Sequence, residues 1–220
     1  LLNFRGDLLK SLVCAGLLVK TLSSSPSKNQ KIKLKSMGVS ASSIPISRNS
    51  LNIVHDIQTF IKIFFVYKKI RPDIVLSYTI KPVIWGGIAS RFTKIDFYAL
   101  ITGLGFTFQG ESFKRKLLTK LVTLLYKISL KNSKAVIFQN KDNRDIFVNK
   151  GIVPFSKTCI VNGSGVDIVK FNVIKFPKND IRFLCISRLL GEKGLREYAE
   201  AARIVKDKFP NVEFDLVGSE

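Results

Sequence analysis

Ser187-Arg188-Leu189-Leu190-Gly191-Glu192-Lys193-Gly194 follows a short apolar run and precedes a segment of helical periodicity. Where a strand hands over to a helix, the helix's first N–H groups are unpaired and carry partial positive charge, so the junction suits phosphate. Arg188 can place two parallel hydrogen bonds on phosphate oxygens, and Lys193 adds a compact point charge. Together they could stabilise the charge that grows on a departing diphosphate. A plain basic turn, with Gly191 and Gly194 as ordinary loop residues, explains the same letters. Local physics does not choose between the two.

Other residues carry weaker signals. Thr102, Gly103 and Gly105 open a loop after an apolar run, where a ligand could approach the backbone or the glycines could simply permit a tight turn. Lys81 sits between a strand-like run and Pro82, one basic residue among 36. Asn140 reads as a helix cap. His55 is the only histidine and falls near the start of a helix, so a Ser-His-Asp or histidine-metal mechanism has little to stand on. Cys14, Cys159 and Cys185 lack metal-ligand spacing and read as buried small hydrophobes. No metal site is expected.

The elements that must position these residues alternate along the chain. Helical periodicity is predicted over 7–15, 50–70, 82–92, 111–132, 142–149 and 192–208. Apolar strand runs cover 17–22, 74–78, 96–101, 135–139, 158–161, 181–187 and 212–217. The stretch 23–50, rich in Ser and Lys, reads as a poorly packed connection holding one short helix and one short strand. Such alternation predicts an α/β doubly wound fold of parallel strands with helices on both faces. Punctuation residues at 162–180 place a break there. The expected division is a Rossmann-like domain over 1–165 and the first β-α-β of a second over 166–220. Ligands of such sheets bind beyond the carboxyl ends of strands, which singles out the loops after 77, 101, 139, 187 and 217.

Lys and Arg number 36 against 16 acidic residues, a formal charge of +20. That favours an anionic partner such as nucleic acid, anionic lipid or a phosphorylated substrate. No nucleic-acid-binding motif accompanies the charge, and the aromatics lie mainly in apolar runs, so nucleic acid is not expected. No run approaches the roughly 18 apolar residues of a membrane span. The chain opens on Leu1 and its one methionine is Met37, which suggests a fragment or a trimmed chain.

Ile186 to Arg203 and Phe209 to Gly218 closely resemble the start of the C-terminal domain of family 4 GT-B glycosyltransferases. Ser77 to Gly86, Ile101 to Phe106, Val136 to Asn140 and Val161 to Asp167 resemble the branch that extends bacterial polyprenyl-diphosphate-linked sugars. The resemblance implies a GT-B fold and a retaining glycosyltransferase with no cofactor. Its substrates would be a nucleotide sugar, UDP-hexose or UDP-HexNAc, and a polyprenyl-diphosphate-linked sugar acceptor. Arg188 and Lys193 match the pair that holds the donor diphosphate. The loop of Thr102, Gly103 and Gly105 matches the one facing sugar and acceptor. Lys81 matches a basic position near the acceptor phosphates, and Arg5 and Gly6 match a segment bordering the cleft. The family's paired-glutamate segment lies beyond the end of the chain, so this length alone is expected to be inactive. A sugar-nucleotide 2-epimerase of the same fold and a non-catalytic remnant are the alternatives.

Lys116, Lys120, Lys127, Lys131 and Lys134 recur at spacings that put them near one face of the helix predicted over 111–132. Phe113, Leu117, Leu121, Leu124, Leu125 and Ile128 supply its apolar side. Either that apolar side faces the core, or the helix docks on an anionic membrane surface. The second reading fits a cytoplasmic protein peripheral at the inner face of the cell membrane.

Overall fold

The computed structural model describes residues 2–46, 52–104, 113–175 and 181–218. The chain divides into two compact units, Leu1–Gly165 and Val166–Glu220.

The first unit begins with α1 (Leu2–Cys14), β1 (Lys20–Ser23), α2 (Lys28–Ser36) and β2 (Ser40–Ser43). β1 and β2 pair in parallel. Ser27 and Gln30 close a reciprocal capping box at the start of α2. The connection expected to be poorly packed has a core of its own. Leu34 and Val39 are buried against Leu9 of α1, with Val13, Val19 and Met37 around them. Its lysines and serines face outward and mask that inner stripe from a reading of composition.

α3 (Ile53–Ile70), β3 (Ile74–Tyr78), α4 (Ile80–Thr93), β4 (Asp96–Ile101), α5 (Phe113–Leu130), β5 (Ala135–Phe138), α6 (Lys141–Asn149) and β6 (Thr158–Ile160) follow. These strands form one parallel sheet in the order β3-β4-β5-β6. Asn52 caps α3 and Asn140 caps α6, each side chain accepting from a first-turn N–H. Pro82 lies in the first turn of α4, where its missing N–H has no helical partner to lose.

The main core forms where α4, α5 and α6 meet alternate residues of the sheet. Phe97, Ala99 and Ile101 of β4 and Val136 and Phe138 of β5 pack against Val83, Ile84, Val122, Tyr126, Leu130 and Phe147. Tyr126, Phe138 and Phe147 make edge-to-face contacts at 5.0 and 5.3 Å. The expected covering of both faces is not met at β3, where Ile74 and Leu76 are exposed while Ser77 is buried. Cys14 and Cys159 are also exposed, which corrects their reading as buried residues. Cys14 ends α1 away from Leu9, and Cys159 alternates outward on the edge strand β6.

Burial pushes the hydroxyls of Tyr67 and Tyr126 above the usual phenol range, and a hydrogen bond to Ser77 offsets part of this for Tyr67. A group whose folded-state pKa is raised lends stability that is complete below its unfolded pKa and lost as pH rises past it. The unfolded phenol titrates near pH ~10. Thermal melts should therefore show an extra loss of stability above that pH, and Tyr126→Phe should flatten it. An unchanged alkaline slope in that variant would show that the ring does not stay neutral in the fold.

The second unit contains β7 (Arg182–Ile186), α7 (Leu195–Lys208) and β8 (Glu213–Val217), with the strands parallel. Phe183 and Phe214 stack at 5.1 Å. The Tyr198 hydroxyl lies between the carbonyls of Phe183 and Asp215, at 3.0 and 2.9 Å, and so fixes α7 across both strands.

Candidate functional site

Because β3 to β6 run parallel, their carboxyl ends share one edge of the sheet. Arg5, on the first turn of α1, reaches that edge. Its Nη1 donates to Ser164 Oγ at 3.1 Å, and its guanidinium lies over the Tyr78 ring, 5.5 Å from the centroid. Gln139, just past β5, donates to the same Ser164 oxygen at 3.3 Å. The Nε–H of Arg5 is buried without a hydrogen-bond partner. Such a group costs about 1–3 kcal/mol and calls for an acceptor.

Thr79, next to Tyr78, has φ +68° and ψ 157°. A β-branched residue is an outlier there, at a cost of order 1–3 kcal/mol. It is the N-cap of α4 but makes no side-chain capping bond. Strained backbone of this kind clusters at ligand sites.

The other expected residues of this unit are placed as follows. Gly6 follows Arg5 on α1 and is half-buried. Thr102 is exposed and Gly103 half-buried directly after β4. Gly105 lies outside the described residues. Lys81 is bound to Asp56, its Nζ 2.7 Å from the carboxylate, with the two side chains 16% and 20% exposed. The pair joins the first turns of α3 and α4, so Lys81 braces two helices. His55 is exposed in the first turn of α3. Among the described residues no group of three His, Cys, Asp or Glu could hold a metal.

Tyr78, Thr79, Gln139 and Ser164 were not singled out by the sequence reading. For Gln139 and Ser164 a signal existed, since both follow strands at the carboxyl edge. No sequence signal marks a threonine for positive φ.

In the second unit the helix expected from Glu192 begins at Leu195. Gly191–Lys193 forms a 3-10 turn, and Gly194 then takes φ +72°, ψ 22° as N-cap of α7. A residue without Cβ adopts that left-handed geometry readily and restarts the chain in a new direction. The unpaired N–H groups thus lie past Gly194. The loop is held by Ser187 N–H to Val217 carbonyl (3.1 Å), Leu190 N–H to Arg188 carbonyl (2.7 Å) and Lys193 N–H to Leu190 carbonyl (3.0 Å). A Cβ at position 218 would fall on the Ser187 carbonyl oxygen, so the end of β8 closes directly on the end of β7. Arg188 and Lys193 are both exposed. Neither forms an ion pair among the described residues.

Over residues 6–140, more than half of the chain, the sequence matches the model of the glycosyl transferase 4-like family. The chain belongs to that family.

This glycosyl transferase 4-like chain is 30% identical over 200 residues to the N,N'-diacetylbacillosaminyl-diphospho-undecaprenol alpha-1,3-N-acetylgalactosaminyltransferase of Campylobacter jejuni, covering 84% of the chain and 52% of the relative. It is 25% identical over 188 residues to the UDP-Gal:alpha-D-GlcNAc-diphosphoundecaprenol alpha-1,3-galactosyltransferase of Escherichia coli, covering 80% and 48%. The chain spans about half the length of the curated relatives it matches. Among solved structures, Anabaena HepE in complex with UDP-glucose shares the fold with a TM-score of 0.67, at 15% identity, over 98% of this chain and 57% of that one. The UDP-GlcNAc 2-epimerase of Neisseria meningitidis shares it with a TM-score of 0.56, at 13% identity, over 90% and 56%. The GT-B-type α/β fold expected from the sequence is thereby shown.

Proposed function

We propose that the protein transfers a sugar from a nucleotide-sugar donor, a UDP-hexose or UDP-HexNAc, to a polyprenyl-diphosphate-linked saccharide, with retention at the anomeric carbon. The observation that carries this reading is the pair Arg188 and Lys193, exposed and without carboxylate partners among the described residues, on the loop that follows β7. Two named relatives of the chain, transferases acting on diphospho-undecaprenol sugars, supply the substrate class.

The chemistry assigned to the residues is electrostatic. As the bond from the anomeric carbon to the diphosphate oxygen breaks, negative charge moves onto the leaving group. Arg188 meets it with a two-pronged hydrogen bond and Lys193 with a point charge. The acceptor hydroxyl attacks the anomeric carbon, and its proton leaves with the diphosphate. No metal or cofactor is assigned a step. In the first unit Arg5, with the loop that Thr102 and Gly103 open, would face the anionic acceptor. Lys81 would hold the site's shape through Asp56. The work is placed at the inner face of the cell membrane, where a polyprenyl-linked acceptor resides. Among the described residues no helix is long and apolar enough to cross a membrane.

The test is a radiolabelled UDP-sugar offered, with and without a polyprenyl-diphosphate saccharide, to a chain extended over the full length of its relatives. Label should enter the organic phase only when the lipid is present. Conversion of the nucleotide sugar to an epimer in the absence of lipid would replace this reading with the epimerase one.

A further inference from the structure

At the carboxyl edge of the sheet, hydrogen-bond donors converge without an acceptor to meet them. Ser164 Oγ accepts from Arg5 Nη1 at 3.1 Å and from Gln139 Nε2 at 3.3 Å. A hydroxyl has two acceptor sites and one proton of its own. With both acceptor sites taken, the Ser164 proton is left to donate, and among the described residues nothing receives it. The Arg5 guanidinium has its unpaired Nε–H and no carboxylate partner among the described residues. Asp7 and Asp142, near Arg5 and Gln139 in sequence, form no ion pair with it. A half-buried charge left this way is costly unless a ligand completes it.

Two further features of this edge point the same way. The amino end of α4 follows Tyr78 and Thr79, and the Thr79 side chain leaves that partly positive end uncapped. Ser164 stands between Gly163 and Gly165, at φ +74° and +72°, and the Gly163 N–H is tied to the Val161 carbonyl at 2.8 Å. This bent stretch carries an exposed serine back to the donors on α1 and β5. A sugar hydroxyl brings a proton with its lone pairs and would leave the guanidinium's charge unmet. A phosphoryl group brings acceptors alone, together with negative charge.

We infer that Ser164 and Gln139 are binding residues, and that with Arg5 they hold the diphosphate of the lipid-linked acceptor. The Ser164 proton goes to one phosphoryl oxygen, and the guanidinium and the Gln139 amide meet others. The Tyr78 ring supports the guanidinium from one side, so Arg5 is in place before the ligand arrives. The identity of the ligand as the acceptor rests on the proposed transfer reaction. Its recognition as a diphosphate rests on the donors alone.

The test is a nuclear magnetic resonance titration of the chain with inorganic pyrophosphate, read at the backbone amides of Gly163 and Gly165. Those signals report on this edge and not on the loop after β7. Ser164→Ala should weaken binding about tenfold, the scale of one hydrogen bond to a charged group, and should stay folded because the side chain is exposed. Gln139→Glu should abolish binding and raise the melting temperature, because a carboxylate there supplies the acceptor that Arg5 lacks. Lys31→Gln/Lys33→Gln/Lys35→Gln on α2 lowers the net charge further and should leave binding close to that of the unaltered chain. Geranyl diphosphate should displace pyrophosphate at least as well as UDP does. Binding that Ser164→Ala and Gln139→Glu leave unchanged overturns the inference, and so does stronger displacement by UDP, which would place the donor's diphosphate here. Failure of this titration leaves the transfer reaction at Arg188 standing. Failure of the transfer assay leaves a diphosphate site whose dependence on Ser164 and Gln139 is measured without it.

Discussion

Arg188→Ala, in a chain extended over the full length of its relatives, should lower the turnover of sugar transfer by about 10²–10³-fold, the scale seen when one preorganised donor to a developing anion is removed. The fall should appear in kcat more than in KM for the nucleotide sugar, because the charge on the leaving oxygen is largest in the transition state. Arg188→Lys should recover only part of the rate, since an ammonium cannot form the two-pronged bond. The folded state should not change, as the side chain is exposed and without an ion-pair partner among the described residues. Turnover equal to that of the unaltered protein would refute the role given to this loop.

Phe147→Ala should cost about 3–5 kcal/mol in a denaturant titration of the first unit. Phe147 is fully buried, and its ring meets the edges of Tyr126 and Phe138. Removing it opens a cavity where α5, α6 and β5 meet, and neighbours held by main-chain ladders on both sides cannot collapse into the space. A loss comparable with the net stability of many domains predicts a variant that is partly unfolded at room temperature. Phe147→Leu, which keeps most of the volume, should cost much less. A titration midpoint that does not move in the alanine variant would show that this aromatic cluster is not where the stability resides.

Parts of this structure were legible to the residue. β3 and β4 begin and end where the sequence reading placed them, because apolar runs there are bounded by Arg71-Pro72-Asp73 and by Gly103. Asn140 was read as a cap and is one. The orientation of α5 was not legible. Its 3.6-residue period marks a stripe, yet apolar residues occur on both faces, and the buried one includes Ser129 and Tyr126. Periodicity says that a helix has sides and not which side a sheet will take. The start of α7 was missed because Gly191-Glu192-Lys193 is compatible with a first helical turn until Gly194 adopts a left-handed φ. At the carboxyl edge, Arg5 was named, but its link to Ser164 spans 159 positions, and no local pattern encodes it. Lys81 was matched to a position near the acceptor phosphates through the family resemblance, while its contact with Asp56 depends on how α3 crosses α4.

The uniform strand direction of the sheet also governs how it is assembled. Ile74 pairs with Asp96, and Tyr98 with Ala135, each only after a helical connection has closed. Among the described residues no adjacent-strand hairpin is available as an early nucleus, so the chain must lose loop entropy before these strand pairings reward it. Sheets assembled this way form slowly. While they wait, Ile74, Leu76 and the greasy flank of the helix after β4 stand open to other copies. Recovery of native protein from denaturant should therefore rise steeply with dilution, since clumping grows with concentration and closure of the crossovers does not.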